Sequence, residues 1–226
     1  MTRLLALLPP SARVVDLGAG AGHLAEPLAR GGARVVAVEP SPAMLRLCAE
    51  RTRDLEVALV EAPAEATGLP GGAADMVLLA DAAQWVDPEA AGKEAHRLLC
   101  HDGTAAAVEP QPAATPFMRA LESLLRKANP ERRLQGPGRA RQWLALASGG
   151  TRVRTLELAQ CIELTPGMLE GILRSLSFLA PALGPLRMEA LLQEARTLAE
   201  RHGGARWERV LRLSWARKSV SQGSPK

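Results

Sequence analysis

The chain has 226 residues, 28 basic and 24 acidic, a formal charge of +4 and 47% apolar residues, yet only two Phe, four Trp and no Tyr. That length buries one sizeable core, here mainly Leu, Ala and Val, and leaves no tyrosine hydroxyl as acid, base or anchor. The basic residues are spread along the chain without a block interleaved with aromatics, which argues against a nucleic-acid groove. Cys48, Cys100 and Cys161 are too far apart for a C-x-x-C redox or zinc site and suit a reducing compartment. The leucine run before Pro9-Pro10 is too short for a signal peptide or a membrane span, so a cytoplasmic protein without a membrane partner is expected.

Val14-Val15 leads into Asp16-Leu17 and then Gly18, Gly20 and Gly22, after which Leu24 and Leu28 return at helical spacing. This predicts a strand, a tight turn and a helix start. Glycines let the turn reverse and a ligand approach the backbone, and the new helix presents N–H groups to that ligand. Spaced as D-x-G-x-G-x-G, the third glycine falls one residue early for a dinucleotide fingerprint, and no phosphate-loop Lys follows. Residues 34–38 predict a second strand, closed by Glu39-Pro40-Ser41-Pro42 before a helix through Met44, Leu45 and Leu47. Glu39 lies about 20 residues beyond the glycines, where a carboxylate can reach ribose hydroxyls.

Residues 55–60 alternate as a third strand, followed by Glu61-Ala62-Pro63-Ala64-Glu65 and a glycine-proline turn at 68–72. Glu65 reads as a ligand contact or as a helix-starting acid. Residues 75–80 are the most apolar strand, as at the centre of a parallel sheet. They open into Asp81-Ala82-Ala83-Gln84-Trp85-Val86-Asp87-Pro88 on the ligand edge, with Trp85 either an acceptor contact or core. A helix over 88–99 and a turn at His101-Asp102-Gly103 precede a fifth strand, 104–109. His96 and His101 then lie on the opposite edge and are read as structural, whereas Glu109 ends the strand on the ligand side.

Residues 110–116 read as a connector, and 117–128 and 139–147 as helices of a cap inserted at about 116–150. Its Arg119, Arg132, Arg133, Arg139 and Arg141 are either contacts for an anionic acceptor or solvated faces. A strand over 152–163 follows, then a helical run from Thr165 interrupted at Pro181 and Gly184-Pro185. An antiparallel strand, 207–217, and a disordered tail, 219–226, complete the chain. The expected fold is α/β: a Rossmann-like doubly wound sheet, mostly parallel with one antiparallel strand near the C-terminus, plus a small helical cap, in one domain over 1–218.

Asp16-Leu17-Gly18-Ala19-Gly20-Ala21-Gly22 resembles the first motif of the class I S-adenosylmethionine-dependent methyltransferases. Ala62 to Glu65 before Leu69-Pro70 is similar to that family's third segment, although Pro63 replaces its polar residue. Gln84-Trp85 resembles a small-molecule subgroup, the type 11 and trans-aconitate methyltransferases, which have His-Trp or Gln-Trp there. The resemblance is close to Glu109 and looser beyond, where Leu164-Thr165-Pro166 and Leu173-Arg174-Ser175-Leu176-Ser177-Phe178 carry it. It implies that Asp16, Gly18, Gly20, Gly22 and Glu39 hold S-adenosylmethionine, with Ala62, Ala64 and Glu65 near the adenine. Asp81, Gln84, Trp85 and Glu109 would border a small-molecule acceptor, an anionic one in keeping with the charge.

The implied reaction is in-line methyl transfer, with O-methylation of a carboxylate or hydroxyl favoured, S-adenosylhomocysteine as product and no metal. Competing readings are a protein that binds this cofactor without catalysis and a nucleotide-dependent oxidoreductase. Methylation through three thiols fares worse, since Cys48 and Cys100 are expected on helices away from the ligand edge. Relatives carry a few dozen residues of helix before the first strand, whereas here it starts about a dozen residues in, leaving an open site, a borrowed lid or an incomplete start. Oligomeric state is left open.

Overall fold

In the computed structural model, which describes residues 6–130, 138–176 and 179–219, the apolar runs pair as strands. β1 (Arg13–Leu17), β2 (Arg34–Val38), β3 (Val57–Val60), β4 (Ala74–Ala80), β5 (Leu99–Pro112), β6 (Arg154–Leu164) and β7 (Ala205–Arg217) form one sheet, ordered β3-β2-β1-β4-β5-β7-β6. β1 to β5 pair in parallel, with Val15 beside both Val36 and Val77, and Val77 beside Ala105. β7 is the antiparallel strand: Lys218 N–H donates to the Gly103 carbonyl and Ala113 N–H to that of Glu208. The chain builds outward from β1 in one direction and from β4 in the other, so a crevice opens at their carboxyl ends, where open α/β sheets take ligands.

The helices are α1 (Ala25–Arg30), α2 (Pro42–Arg51), α3 (Pro88–Leu98), α4 (Pro116–Ala128), α5 (Arg139–Ser148), α6 (Pro166–Ser175) and α7 (Ala180–Arg201). α2, α3, α4 and α6 open on proline, which lacks an N–H that the first turn would leave unpaired anyway. Ser41, Asp87 and Thr165 cap three of these by accepting from the first-turn N–H groups of Met44, of Glu89 and Ala90, and of Met168.

The chain divides into two units. One comprises Met1–Glu109, Gly136–Leu156 and Arg212–Lys226, and the other Pro110–Gln135 and Glu157–Leu211. In the first, alternate residues of β4 serve opposite faces of the sheet, as the period of two requires. Val77 and Leu79 pack with Leu17, Val38, Leu98 and Trp143, whereas Met76 and Leu78 pack with Val14, Leu28, Val35 and Leu213. Each fully buried leucine here contributes about 1.5–3 kcal/mol. In the second, α4, α6 and α7 pack through Leu121, Leu169, Leu173, Leu191 and Leu192. α7 breaks at Gly184 (φ 65°, ψ 174°), just before Pro185, as its sequence predicts.

Several expectations change. β5 begins at Leu99, before the expected turn: Leu99 pairs with Ala74 and Thr104 with Met76, so the residues between bulge out, with Asp102 at φ 60°. His101 and Cys100 therefore lie in this strand, and Cys100 is not helical. The strand also runs on through Pro112 into the expected connector. The stretch 116–150 is not one insertion, because α4 falls in the second unit and α5 in the first, where Trp143 is fully buried. Ser219 is not free tail, since its N–H donates to the Ser148 carbonyl at 2.8 Å. Arg132, Arg133, Ser177, Phe178 and residues 220–226 lie outside the described residues.

Candidate functional site

β1 delivers Asp16, 2% exposed, to the mouth of the crevice, and the chain then turns through Gly18, Gly20 and Gly22, all at positive φ. Two of these glycines answer different demands. A Cβ on Gly22 would sit 2.7 Å from the Cys48 Sγ, so this glycine lets α2 pack against the turn. A Cβ on Gly20 would meet no atom within 4 Å: its missing side chain faces open space. Cys48 thus lies beside the glycine turn and not away from it, as the sequence led us to expect. Burial, then the neighbouring Asp16, pushes its thiol pKa up, which makes it inert packing and not a nucleophile.

Glu39, at the end of β2 and 8% exposed, is tied to this turn. Its Oε2 accepts from Gly20 N–H at 2.9 Å and its Oε1 from Ser41 N–H at 3.0 Å. Burial, and then the Glu39 charge, pushes the Asp16 carboxyl up to about 7. Two acids therefore converge under a glycine turn whose outer side is open.

The second wall is the loop between β4 and α3. Asp81 stands at φ 50° and its N–H donates to the Val108 carbonyl at 2.8 Å, which sets it beside Glu109, as the Ala80–Val108 pairing requires. Gln84 Nε2 donates to the Asp81 carbonyl at 2.7 Å. Trp85 is 71% exposed, so the core reading fails. Glu65 is not a helix-starting acid: its Oε1 accepts from Asp87 N–H at 2.7 Å and ties the post-β3 segment to this loop. Ala64 is buried in the cluster that holds Val38 and Ala82, with Ala62 packed against it.

Two arginines that no motif marks complete the frame. Arg51 Nε donates to the Ala21 carbonyl in the glycine turn at 2.9 Å. Arg139 Nε donates to the Ala83 carbonyl at 3.0 Å, and another of its guanidinium nitrogens to that of Val86. Arg139 is thus engaged by the protein's own loop. Arg141 is exposed on α5, and Arg119 donates to the Ala114 carbonyl. His96 Nδ1 lies 3.1 Å from the Ala147 carbonyl and His101 pairs with Asp102, so neither reaches this crevice. Among the described residues no cluster of His, Cys, Asp and Glu could hold a metal, and no helix is long and apolar enough to cross a membrane.

Known proteins share this frame. The methyltransferase domain family matches residues 15–107. An uncharacterised methyltransferase of Mycobacterium tuberculosis is 43% identical over 94 residues, which are 41% of this chain and 38% of that protein. The match thus spans well under half of the curated relative. The YcgJ protein of Bacillus subtilis superposes with a TM-score of 0.61 at 18% identity, over 98% of this chain and 100% of its own. Phosphoethanolamine N-methyltransferase 2 of Haemonchus contortus does so with a TM-score of 0.55 at 16% identity, over 97% and 53%. These superpositions establish the fold, and the match to the methyltransferase domain family falls on the segment that carries the glycine turn and the β4–α3 loop.

Proposed function

We propose that this protein transfers a methyl group from S-adenosylmethionine to a small-molecule acceptor. The observation that carries the reading is the open face over Gly20, with the acids Asp16 and Glu39 beneath and beside it. When bound, S-adenosylmethionine supplies a methyl carbon on a cationic sulfur that leaves as the neutral thioether of S-adenosylhomocysteine and needs no proton. Asp16 and Glu39 provide the negative charge a sulfonium and an ammonium group need, and Glu39 stands where ribose hydroxyls would be met. Ala62 and Ala64 offer apolar packing and backbone for the adenine, and Pro63 offers no side-chain hydrogen bond. Glu65 serves that wall through its hold on Asp87.

The acceptor is bordered by Asp81, Gln84, Trp85 and Glu109. Holding a nucleophile behind the methyl carbon and excluding water is sufficient for such a displacement. A carboxylate acceptor is already ionised and needs no base, and a hydroxyl would lose its proton to Asp81 or Glu109. The Haemonchus contortus enzyme is found in complex with phosphomonomethylethanolamine and S-adenosylhomocysteine, which supports a small polar acceptor. The reading takes 1–218 as one methyltransferase domain working in the cytoplasm.

Calorimetric titration of S-adenosylmethionine and S-adenosylhomocysteine, with NAD as control, tests the cofactor. Both sulfur ligands should bind, and Gly20→Val should abolish binding by filling the open face. Binding of NAD alone would replace this reading with an oxidoreductase. Binding of both sulfur ligands without turnover on any acceptor would leave a cofactor-binding protein.

A further inference from the structure

The loop from Asp81 to Asp87 carries an indole that is 71% exposed, and an exposed aromatic on an irregular loop is useful for recognition only if its backbone is fixed. Four contacts fix it. Asp81 N–H donates to the Val108 carbonyl at one end, and Asp87 N–H to Glu65 at the other. Inside, Trp85 N–H donates to the Ala82 carbonyl at 2.9 Å, closing a turn. The fourth contact brackets that turn: the Arg139 guanidinium, half-buried at the N-terminus of α5, donates to the carbonyls of Ala83 and Val86 on either side of Gln84-Trp85. A planar fork held by two carbonyls sets the angle of the segment between them as one donor cannot.

We infer that Arg139 is a positioning residue for the acceptor: by bridging the Ala83 and Val86 carbonyls it holds Trp85 and Gln84 in the orientation that receives the substrate. The inference rests on the methyltransferase reading for the identity of the acceptor site, and not for the geometry of the clamp. It also accounts for an arginine that composition would assign to anion binding. The guanidinium stabilises loop carbonyls, so recognition falls to the indole face and to the polar groups of Asp81, Gln84 and Glu109.

The test compares wild type with Arg139→Ala, Arg139→Lys, Trp85→Ala and the double variant Arg139→Ala/Trp85→Ala, each as the full chain. Hydrogen exchange followed by mass spectrometry reads the clamp without any ligand. In Arg139→Ala, amides of residues 83–87 should exchange at least tenfold faster, with those of β1 and β4 unchanged. S-adenosylhomocysteine affinity should stay within about twofold. Turnover of methyl-labelled S-adenosylmethionine, with trans-aconitate and phosphoethanolamine as acceptor probes, should fall at least tenfold in kcat/KM, and Arg139→Lys should recover part of it. In the Trp85→Ala background, loss of Arg139 should cost less than a further twofold, because the residue acts through the indole.

Unchanged exchange at 83–87, or full additivity of the two losses, would overturn the inference. If Arg139→Ala unfolds, Arg139→Lys is read in its place: it keeps the charge but not the planar fork and should still speed exchange at 83–87. Failure of wild type to bind either sulfur ligand would refute the methyltransferase reading. The exchange data would still decide the clamp.

Discussion

The buried Asp16 makes the free protein's stability fall as pH rises, and Asp16→Asn should remove that fall. The unfolded chain loses the Asp16 proton near the ordinary value of 3.8, whereas the folded protein keeps it until about 7. Between those values the native state binds more protons, so rising pH favours unfolding: the loss begins near pH 4 and is complete above about 7. At about 1.4 kcal/mol per tenfold, the span corresponds to an upper limit of about 4 kcal/mol, and relaxation and water entry reduce it to about 2–4 kcal/mol. Asparagine has the same shape and no charge. At pH 8 the variant should therefore be more stable than wild type by that amount, or about 4–16 °C in melting temperature for a chain of this size. At pH 4.5 the two should nearly coincide. The assay is urea unfolding of both proteins from pH 4.5 to 8.5, with the difference between them as readout, so other titrations cancel. A difference independent of pH would refute the argument. The same variant should bind S-adenosylmethionine at least tenfold more weakly.

Gly22→Ala puts a methyl 2.7 Å from the Cys48 sulfur at φ 78° and should cost about 2–4 kcal/mol, whereas Gly20→Ala, at φ 55° with open space before it, should cost about 1 kcal/mol. Thermal melts rank the pair, and calorimetry should show that Gly20→Ala, the milder for stability, weakens cofactor binding. Glu94, hydrogen-bonded to Arg97 and Thr67, has its carboxyl pulled down to about 2 and so contributes stability above its ordinary value of 4.5 that is lost as pH falls toward 2. Glu94→Gln should cost about 1–3 kcal/mol at pH 7 and much less at pH 2.5, by urea unfolding at both pH values. Trp85→Ala should leave the melting temperature within about 2 °C, since the indole is 71% exposed, and reduce turnover. A large loss of stability would return Trp85 to the core.

What could be read in advance divides according to which part of the residue is constrained. The glycine turn was legible because its demands fall on the backbone: positive φ and close approach leave glycine as the cheapest solution, and three of them in the six residues after an acid leave a mark. Glu39 was legible through its distance from that turn along a βαβ unit. β4 was legible because burial on both faces forces a continuous apolar run. The bulge before Thr104 was read as a turn outside the strand, since His101-Asp102-Gly103 gives the same signal in either case and Asp102 itself tolerates the left-handed region.

Arg51 and Arg139 were illegible for a deeper reason. Each donates to a main-chain carbonyl 30 to 56 positions away, and every residue has such a carbonyl, so the partner's sequence records nothing. An arginine count suggested anions, whereas these two guanidinium groups hold the crevice loops. A glycine turn presents the same backbone to every ligand it admits, but a loop such as 81–87 is shaped by side chains that reach it from elsewhere in the chain. Cofactor chemistry is therefore written locally. On the proposed reading, acceptor chemistry depends on how Arg139 and Glu65 set Trp85, and exchanging those two residues' contacts is the route by which the same glycine turn could serve a different substrate.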